Sequence, residues 1–589
     1  MSEKRWNIIK WILIAGSILA AIKLIFVDYT LDEEYQIVMA FRRLQGDTLF
    51  GTMWEPHQTS AFGCYFLIKI FTLLTKSTDG VVVFIRACTT VIQALLSAWL
   101  CVTLKRKIDS KYAFLLGLVY FNYVPKLIEI PEFSNMQLWF FTITVLALMN
   151  LYDDTIKGSK LKLLWLIPAG MAMSLEVLSY PSCLALYPVF IICIIIMAKG
   201  KAKLRDSLIF TGVCIACGGA WLAYVLSKVS FNEFIRNVKY VVGFDGTHNL
   251  DVSAQTKGSV VLSEFVETLI LLAIVAAVSV VIFVIIETIA RIKASKVSFG
   301  TAVKEIFSDG ILNIEKVKAP ILVIAFFVAE AVQMFYWLVL RVGYERPQIM
   351  MVVGLLIPIF IWKKYGEKKL LLPAYIGSIA VVGLVLYMSD LGVWNAGAQA
   401  IVGMIIGVMM LVRVIGRDNT KKGLIMALLI SLVAVNMFGK GFTVKLGKTP
   451  TNTILGIRNV VHNGPAKMIF SHYMLGYIMD SDYADFMANV PENANVLIVT
   501  NTFEGTGTTP YMFMDSQICH FSIVDPTTYD EKLLTYWDLY PEKQPDIIVI
   551  DCWYGSPLEA ADNWIMQYIE NDFGYSEVTD GKYVRFYKK

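Results

Sequence analysis

Apolar residues in this chain gather in long unbroken runs, unlike the alternating pattern of half-buried strands or the spaced pattern of surface helices. A window of about 20 residues, the length that crosses a hydrocarbon layer, finds runs at 7–27, 84–104, 112–128, 137–152, 163–180, 182–198, 207–227, 262–290, 320–340, 348–362, 373–389, 397–412 and 423–439. The pattern predicts about 13 membrane helices.

Basic residues fall in every second connection: Lys4 and Arg5; Lys105 to Lys111; Lys157, Lys160 and Lys162; Lys199 to Arg205; Arg291 to Lys318; Lys363 to Lys369; and Arg413 to Lys422. Loops rich in Lys and Arg stay on the cytoplasmic side, so the N-terminus is expected inside and everything after residue 440 outside. The segment AFGCYFLIKIFTLLTK (61–76) is apolar but short and carries Lys69; it is expected to lie along the outer interface, since a span there would reverse all later loops. The first run has no small-residue cleavage site and is expected to stay as an anchor, not to be removed as a signal peptide.

This arrangement leaves four outer pieces: residues 28–83, the loop EIPEFSNM (129–136), a loop at 228–261, and the tail. The tail holds VLIVT (496–500), FSIV (521–524), DIIVID (546–551) and VRFY (584–587), with a helical pattern at 558–571. Apolar strand runs separated by a helix predict a small α/β domain. The expected fold class is therefore an all-α polytopic membrane protein, residues 1–440, followed by an extracytoplasmic α/β domain, residues 441–589.

Composition agrees: 56% of the 589 residues are hydrophobic and 17% charged, with a mean hydropathy of +0.59, too apolar for a soluble chain of this size. No basic outer patch with interleaved aromatics is present, so nucleic acid is not an expected partner. Seven cysteines lie in or beside the runs and read as small apolar residues, including Cys214 and Cys217 of a CxxC inside a helix. Cys519 and Cys552 fall in the tail, where an oxidising compartment would allow them to pair. The Gly- and Thr-rich stretch NTFEGTGTTPY (501–511) matches no nucleotide motif and reads as a loop.

Chemistry is suggested at the head of the first outer piece, where three consecutive acids, Asp32, Glu33 and Glu34, follow the first run. Acids favour a helix N-terminus, which is one account of them. Their neighbours supply another: LDEEY (31–35) is followed by AFRRLQGD (40–47), then WEPHQ (54–58), the interfacial segment, and Arg86 at the head of the second run. This order resembles the polyprenyl-phosphate-sugar glycosyltransferases of the GT-C superfamily, in particular the protein O-mannosyltransferase and aminoarabinose-transferase branch. SLEVLSYPSCLALYP (174–188) and RVGYERPQIMMVVGLLIP (341–358) are similar to later segments of that branch. The chain departs from the pattern in two places. EPHQ has one proline where relatives have two, and the second acid of many relatives has no clear counterpart in PEFSNMQLW, where Glu132 or Asn135 would stand.

The resemblance implies transfer of a sugar, on the outer face of the plasma membrane, from a polyprenyl-phosphate donor to a hydroxyl of a cell-surface glycan, lipid or protein. Such transfer needs a base for the acceptor hydroxyl and cations for the phosphate that leaves. Asp32 is expected as the base and Glu33 as an orienting or cation-holding acid, with Glu34 facing solvent. His57, Arg86, Arg346, Tyr344 and Glu132 are expected to bind substrate, and Arg42 and Arg43 to lie at a solvated surface. Relatives with two separated acids hold a divalent cation, so magnesium or manganese is a candidate cofactor. A flippase of lipid-linked sugars and a non-catalytic envelope scaffold are the competing classes; neither explains the surface acids as directly. Glu176 and Glu330 lie inside runs, where ionisable residues are costly, and carry no assigned role.

Overall fold

The computed structural model describes residues 2–27, 29, 31–155, 162–243, 254–311, 314–340, 349–361, 368–388, 396, 398–416, 421–444, 453–499, 520–523, 530–551 and 564–589. Each apolar run carries a helix: α1 (Glu3–Phe26), α4 (Val81–Leu104), α5 (Ser110–Asn122), α6 (Phe133–Tyr152), α7 (Leu166–Ser179), α8 (Leu186–Met197), α9 (Ala202–Leu226), α11 (Ala254–Ser295), α13 (Ile314–Phe335), α14 (Ile349–Ile361), α15 (Leu372–Met388), α16 (Ile401–Ile415) and α17 (Lys422–Phe442). The remaining helices of this part are α2 (Leu31–Leu44), α3 (Phe62–Thr75), α10 (Phe231–Gly243) and α12 (Phe299–Glu305). Among the described residues, 7 helices are long and apolar enough to cross a membrane, and shorter apolar helices accompany them at Leu166–Ser179, Pro181–Met197, Ile349–Ile361 and Ile401–Ile415. The run at 112–128 overestimates its helix, because α5 stops at Asn122 and the chain then turns through Pro125.

Large apolar side chains stand exposed along helices at the rim, such as Ile12 and Leu19 on α1 and Leu208 and Ile215 on α9. Contiguous apolar faces of this kind suit hydrocarbon and not water, and the chain is an integral membrane protein. Inside, helix pairs close by small residues: a Cβ on Gly407 of α16 would run into the Gly354 carbonyl of α14, and one on Gly403 would meet Ser378 of α15. Close approach of backbones is how helices associate where lipid removes the hydrophobic drive.

The two ends of the helix set differ in chemistry. At one end the basic connections meet each other: Lys107 donates to Asp153 (2.9 Å), Arg106 to Asn150 (2.6 Å), Lys111 to Glu3 (2.6 Å) and the Tyr152 hydroxyl to Asp206 (3.1 Å). At the other end lie α2, α3, α10, the connection between α5 and α6, and the tail. The 14 residues of α3 span roughly 21 Å at 1.5 Å per residue. Phe66, Ile70, Leu73 and Leu74 on it are exposed, while its inner side packs on α2.

The tail forms a two-stranded sheet, β1 (Ile457–Val460) with β2 (Phe470–His472), the helix α18 (Tyr473–Asn489), and a mixed five-stranded sheet. The strands of that sheet are β3 (Asn495–Val499), β4 (His520–Phe521), β5 (Ile547–Asp551), β6 (Glu577–Asp580) and β7 (Val584–Lys588), in the order β4-β3-β5-β7-β6. β3 runs parallel to both β4 and β5, while β7 is antiparallel to β5 and β6. All four strand runs predicted from sequence carry strands. The stretch 501–511, Cys519 and Cys552 lie outside the described residues.

This domain is fastened to the first outer piece and to α10. Tyr536, on the helix α19 (Asp530–Leu539), donates to the Thr52 carbonyl (2.6 Å), and Lys543 pairs with Asp47 (2.6 Å). The Tyr540 hydroxyl meets Glu233 (2.5 Å) and Asn237 (2.8 Å) of α10. Gly80 N–H donates to the Gly464 carbonyl at the head of α4 (3.0 Å).

Candidate functional site

The three acids occupy the first turn of α2. Successive helix residues point about 100° apart, so the acids face different surroundings. Glu33 and Glu34 are fully buried, and Glu34 does not face solvent as the sequence suggested: its direction on α2 points into the protein. Glu33 forms a two-pronged pair with Arg86, whose Nε and Nη2 donate at 3.0 and 2.8 Å. Arg86 Nη1 also donates to the carbonyls of Leu24, Ile25 and Val27 (3.2–3.4 Å), which end α1 without helix partners. The pair thus ties α1, α2 and α4 together at the membrane surface.

Asp32 points the other way, toward the connection between α5 and α6. Its Oδ2 lies 3.0 Å from Lys126 Nζ, and both side chains reach solvent, Asp32 at 39% and Lys126 at 21%. Lys126 follows Pro125 and takes left-handed backbone angles (φ 54°), as does Leu127 (φ 56°). That conformation costs about 1–2 kcal/mol per non-glycine residue. Hydrogen bonds hold it: Leu127 and Ile128 N–H donate back to Val124 and Pro125, and the Asn135 amide donates to the carbonyls of Ile128 and Ile130.

Glu132 completes the group. It caps α6, accepting from the backbone N–H groups of Ser134 and Asn135, both at 2.8 Å. Burial pushes its carboxyl up to about 7; Lys126 and the two N–H groups pull it down, and Asp32 adds to the rise. Asp32, Lys126 and Glu132 therefore form one electrostatic unit. A test of this donor set for a divalent ion fails on its own terms, since the Lys126 ammonium stands against Asp32 where a metal would approach, and among the described residues no three His, Cys, Asp or Glu converge.

His57 sits beside this unit with left-handed backbone (φ 59°), its ring stacked on Phe133 (4.2 Å) and near Tyr180 (5.6 Å). Lys126 lies over the same Phe133 ring (5.0 Å). The loop that presents His57 is braced by Tyr35, which donates to the Pro56 carbonyl (2.7 Å), and by a buried pair of Arg42 with Glu55. Arg42 is not at a solvated surface, as sequence had suggested; it is fully buried, also pairs with Asp47 (2.7 Å), and donates to Tyr536 (3.0 Å). Burial alone would raise the Asp47 carboxyl, but Arg42 and Lys543 outweigh it and hold it below the ordinary range. Arg43 lies over the Tyr65 ring (4.7 Å).

An apolar groove of about 570 Å³ opens between α7 and α9, lined by Phe50, Thr59, Leu178, Pro181, Cys217 and Trp221 among others, of which Thr59 and Pro181 are near neighbours in sequence of His57 and Tyr180. Deeper in the bundle Gln137 donates to the buried Glu176 (3.1 Å), and Ser431 to Glu330 (3.2 Å). Arg346 and Tyr344 lie outside the described residues. Sequence reasoning missed Lys126, and with it Lys440, which is fully buried near Glu129 (3.9 Å). The signal was available: both are cations at the ends of apolar runs on the acid-bearing face, against the trend that places basic residues opposite.

No family model and no curated protein matches the sequence. Among solved structures the chain is similar in path to ArnT from Cupriavidus metallidurans, at 12% identity and a TM-score of 0.45, covering 100% of this chain and 98% of that one. A structure of that protein bound to undecaprenyl phosphate gives 0.43. The oligosaccharyltransferase of Archaeoglobus fulgidus follows, at 9% identity and a TM-score of 0.44, covering 93% of this chain and 69% of that one. Likeness at this level transfers no chemistry, and the site's function rests on its own residues.

Proposed function

We propose that this chain is a membrane glycosyltransferase that moves a sugar from a polyprenyl-phosphate donor to an acceptor hydroxyl at the acid-bearing face, which faces away from the cytoplasm. The observation that carries this reading is the solvent-reachable Asp32–Lys126 pair beside buried Glu132, at the head of the membrane helices; the apolar groove between α7 and α9 is proposed to take the lipid tail. A water-soluble donor would need no such groove, whereas a lipid-tethered phosphate presents its reacting carbon at this depth.

In the proposed reaction Asp32 takes the proton of the acceptor hydroxyl as its oxygen bonds to the anomeric carbon. The bond from that carbon to the phosphate oxygen breaks, with its electron pair leaving on the phosphate. Direct displacement inverts the anomeric centre. The Phe133, His57 and Tyr180 rings offer the sugar a flat apolar wall, and Glu132 beneath them fixes the start of α6 that carries Phe133. Glu33 and Arg86 hold the frame that aims Asp32. Arg346 and Tyr344 are proposed at the donor phosphate from their sequence context alone.

Asp32→Asn keeps the shape of the side chain and removes the base. Membranes carrying the variant, given labelled polyprenyl-phosphate sugars and a crude envelope acceptor, are expected to lose at least 100-fold in transfer, within the range general bases contribute. Unchanged transfer at equal expression would move the base elsewhere, with Glu132 the next residue to replace. A product whose anomeric configuration matches the donor's would contradict direct displacement.

A further inference from the structure

The ammonium paired with the proposed base is a cation that the leaving phosphate also needs, and it cannot serve both at once. Lys126 Nζ lies 3.0 Å from Asp32 Oδ2, with both side chains open to solvent, whereas the Glu33–Arg86 pair is wholly buried and committed to the α1 carbonyls. The loop carrying Lys126 is fixed by hydrogen bonds from Leu127, Ile128 and Asn135, so its freedom lies in the lysine stem and not in the backbone. The Phe133 ring under the ammonium, 5.0 Å away, also stacks on His57, so the charge already rests on the aromatic surface proposed to receive the sugar.

The balance of charge sets when the ammonium changes partners. A sugar-bearing polyprenyl phosphate is a diester with one negative charge; the phosphate monoester that leaves carries nearly two. In the same step Asp32 gains the acceptor's proton and loses its charge. Before transfer the negative charges are one on Asp32 and one on the donor; afterwards both are on the phosphate, and the total is unchanged.

We propose that Lys126 is a transferable counter-ion, paired with the Asp32 carboxylate before reaction and with the leaving phosphate once Asp32 has been protonated. Because it meets the phosphate most strongly when the phosphate's charge is greatest, it favours the transition state over the bound donor. The inference rests on the proposed transferase reading and adds to it a role for a residue of the connection between α5 and α6.

Equilibrium binding of a short-chain polyprenyl phosphate monoester to the purified full chain in detergent, followed by intrinsic tryptophan fluorescence, tests this without turnover. Asp32→Asn imitates the protonated base and removes the charge that competes with the phosphate for Lys126, so the variant is expected to bind the monoester at least fivefold more tightly than the native protein. Lys126→Gln is expected to bind at least tenfold more weakly, and the double variant to match Lys126→Gln, with the gain from Asp32→Asn abolished. Equal affinity of Asp32→Asn and native protein, or a gain that survives in the double variant, would overturn the counter-ion role. If Lys126→Gln does not fold, Lys126→Arg replaces it with at most threefold loss expected, and the Asp32→Asn measurement decides alone. A native protein that binds no polyprenyl phosphate would instead overturn the transferase reading beneath it.

Discussion

Asp32, Glu33 and Glu34 share one helical turn yet do different work, because each step around α2 turns the side chain by about 100°. Glu33 is neutralised by Arg86 with good two-pronged geometry, the condition under which a buried pair recovers its cost of desolvation. Asp32 keeps contact with solvent, as the proposed role of base requires. Glu132 differs again. Its carboxyl is raised to about 7 by burial, so between the ordinary value near 4.5 and 7 the folded protein holds a proton that the unfolded chain has released. Folding stability must therefore fall as pH rises through that window. Thermal unfolding of the detergent-solubilised protein between pH 5 and 8 is expected to show this fall, with a shallower slope in Glu132→Gln. Parallel slopes would mean that Glu132 is charged throughout. The position of Asp32 was legible in the sequence from the company of acids after the first run. The charge of Lys126 at the end of an apolar run was equally visible, but its aim at Asp32 was not, because that depends on the left-handed turn after Pro125.

Among the elements, the helices were the most legible part, since unbroken apolar runs have few other solutions in a chain of this composition. Their ends were less so. α5 stops six residues before its run because the turn at Pro125 is stabilised by Asn135 from the next helix, a tertiary effect that hydropathy does not contain. The pairing of α14 with α16 depends on Gly407 passing close to the Gly354 carbonyl. Gly407→Leu is expected to force these helices apart and to lower the unfolding temperature in detergent by several degrees, since overpacking typically costs about 1–3 kcal/mol. An unfolding temperature equal to the native one would show that the two helices are free to separate. In the tail, the four apolar strand runs were visible, but β6 (EVTD) was not, being a polar edge strand with no run to mark it.

Taken whole, the molecule places the helix bundle at one end, the sheets of the tail at the other, and the acid-bearing surface at their junction. Tyr536, Tyr540 and Lys543 of the tail reach Thr52, α10 and Asp47, and through Arg42 and Glu55 they brace the loop that presents His57. That link was illegible beforehand, because Arg42 and Asp47 read as surface charges until a partner almost 500 residues later buries them. It also gives the tail a part in shaping the site. The most direct test of the central claim is stoichiometric. Purified protein reconstituted in liposomes with a labelled polyprenyl-phosphate sugar and an envelope acceptor fraction should yield one free polyprenyl phosphate for each sugar transferred. Movement of the intact donor across the bilayer with no free lipid phosphate would contradict the account and mark the protein as a carrier.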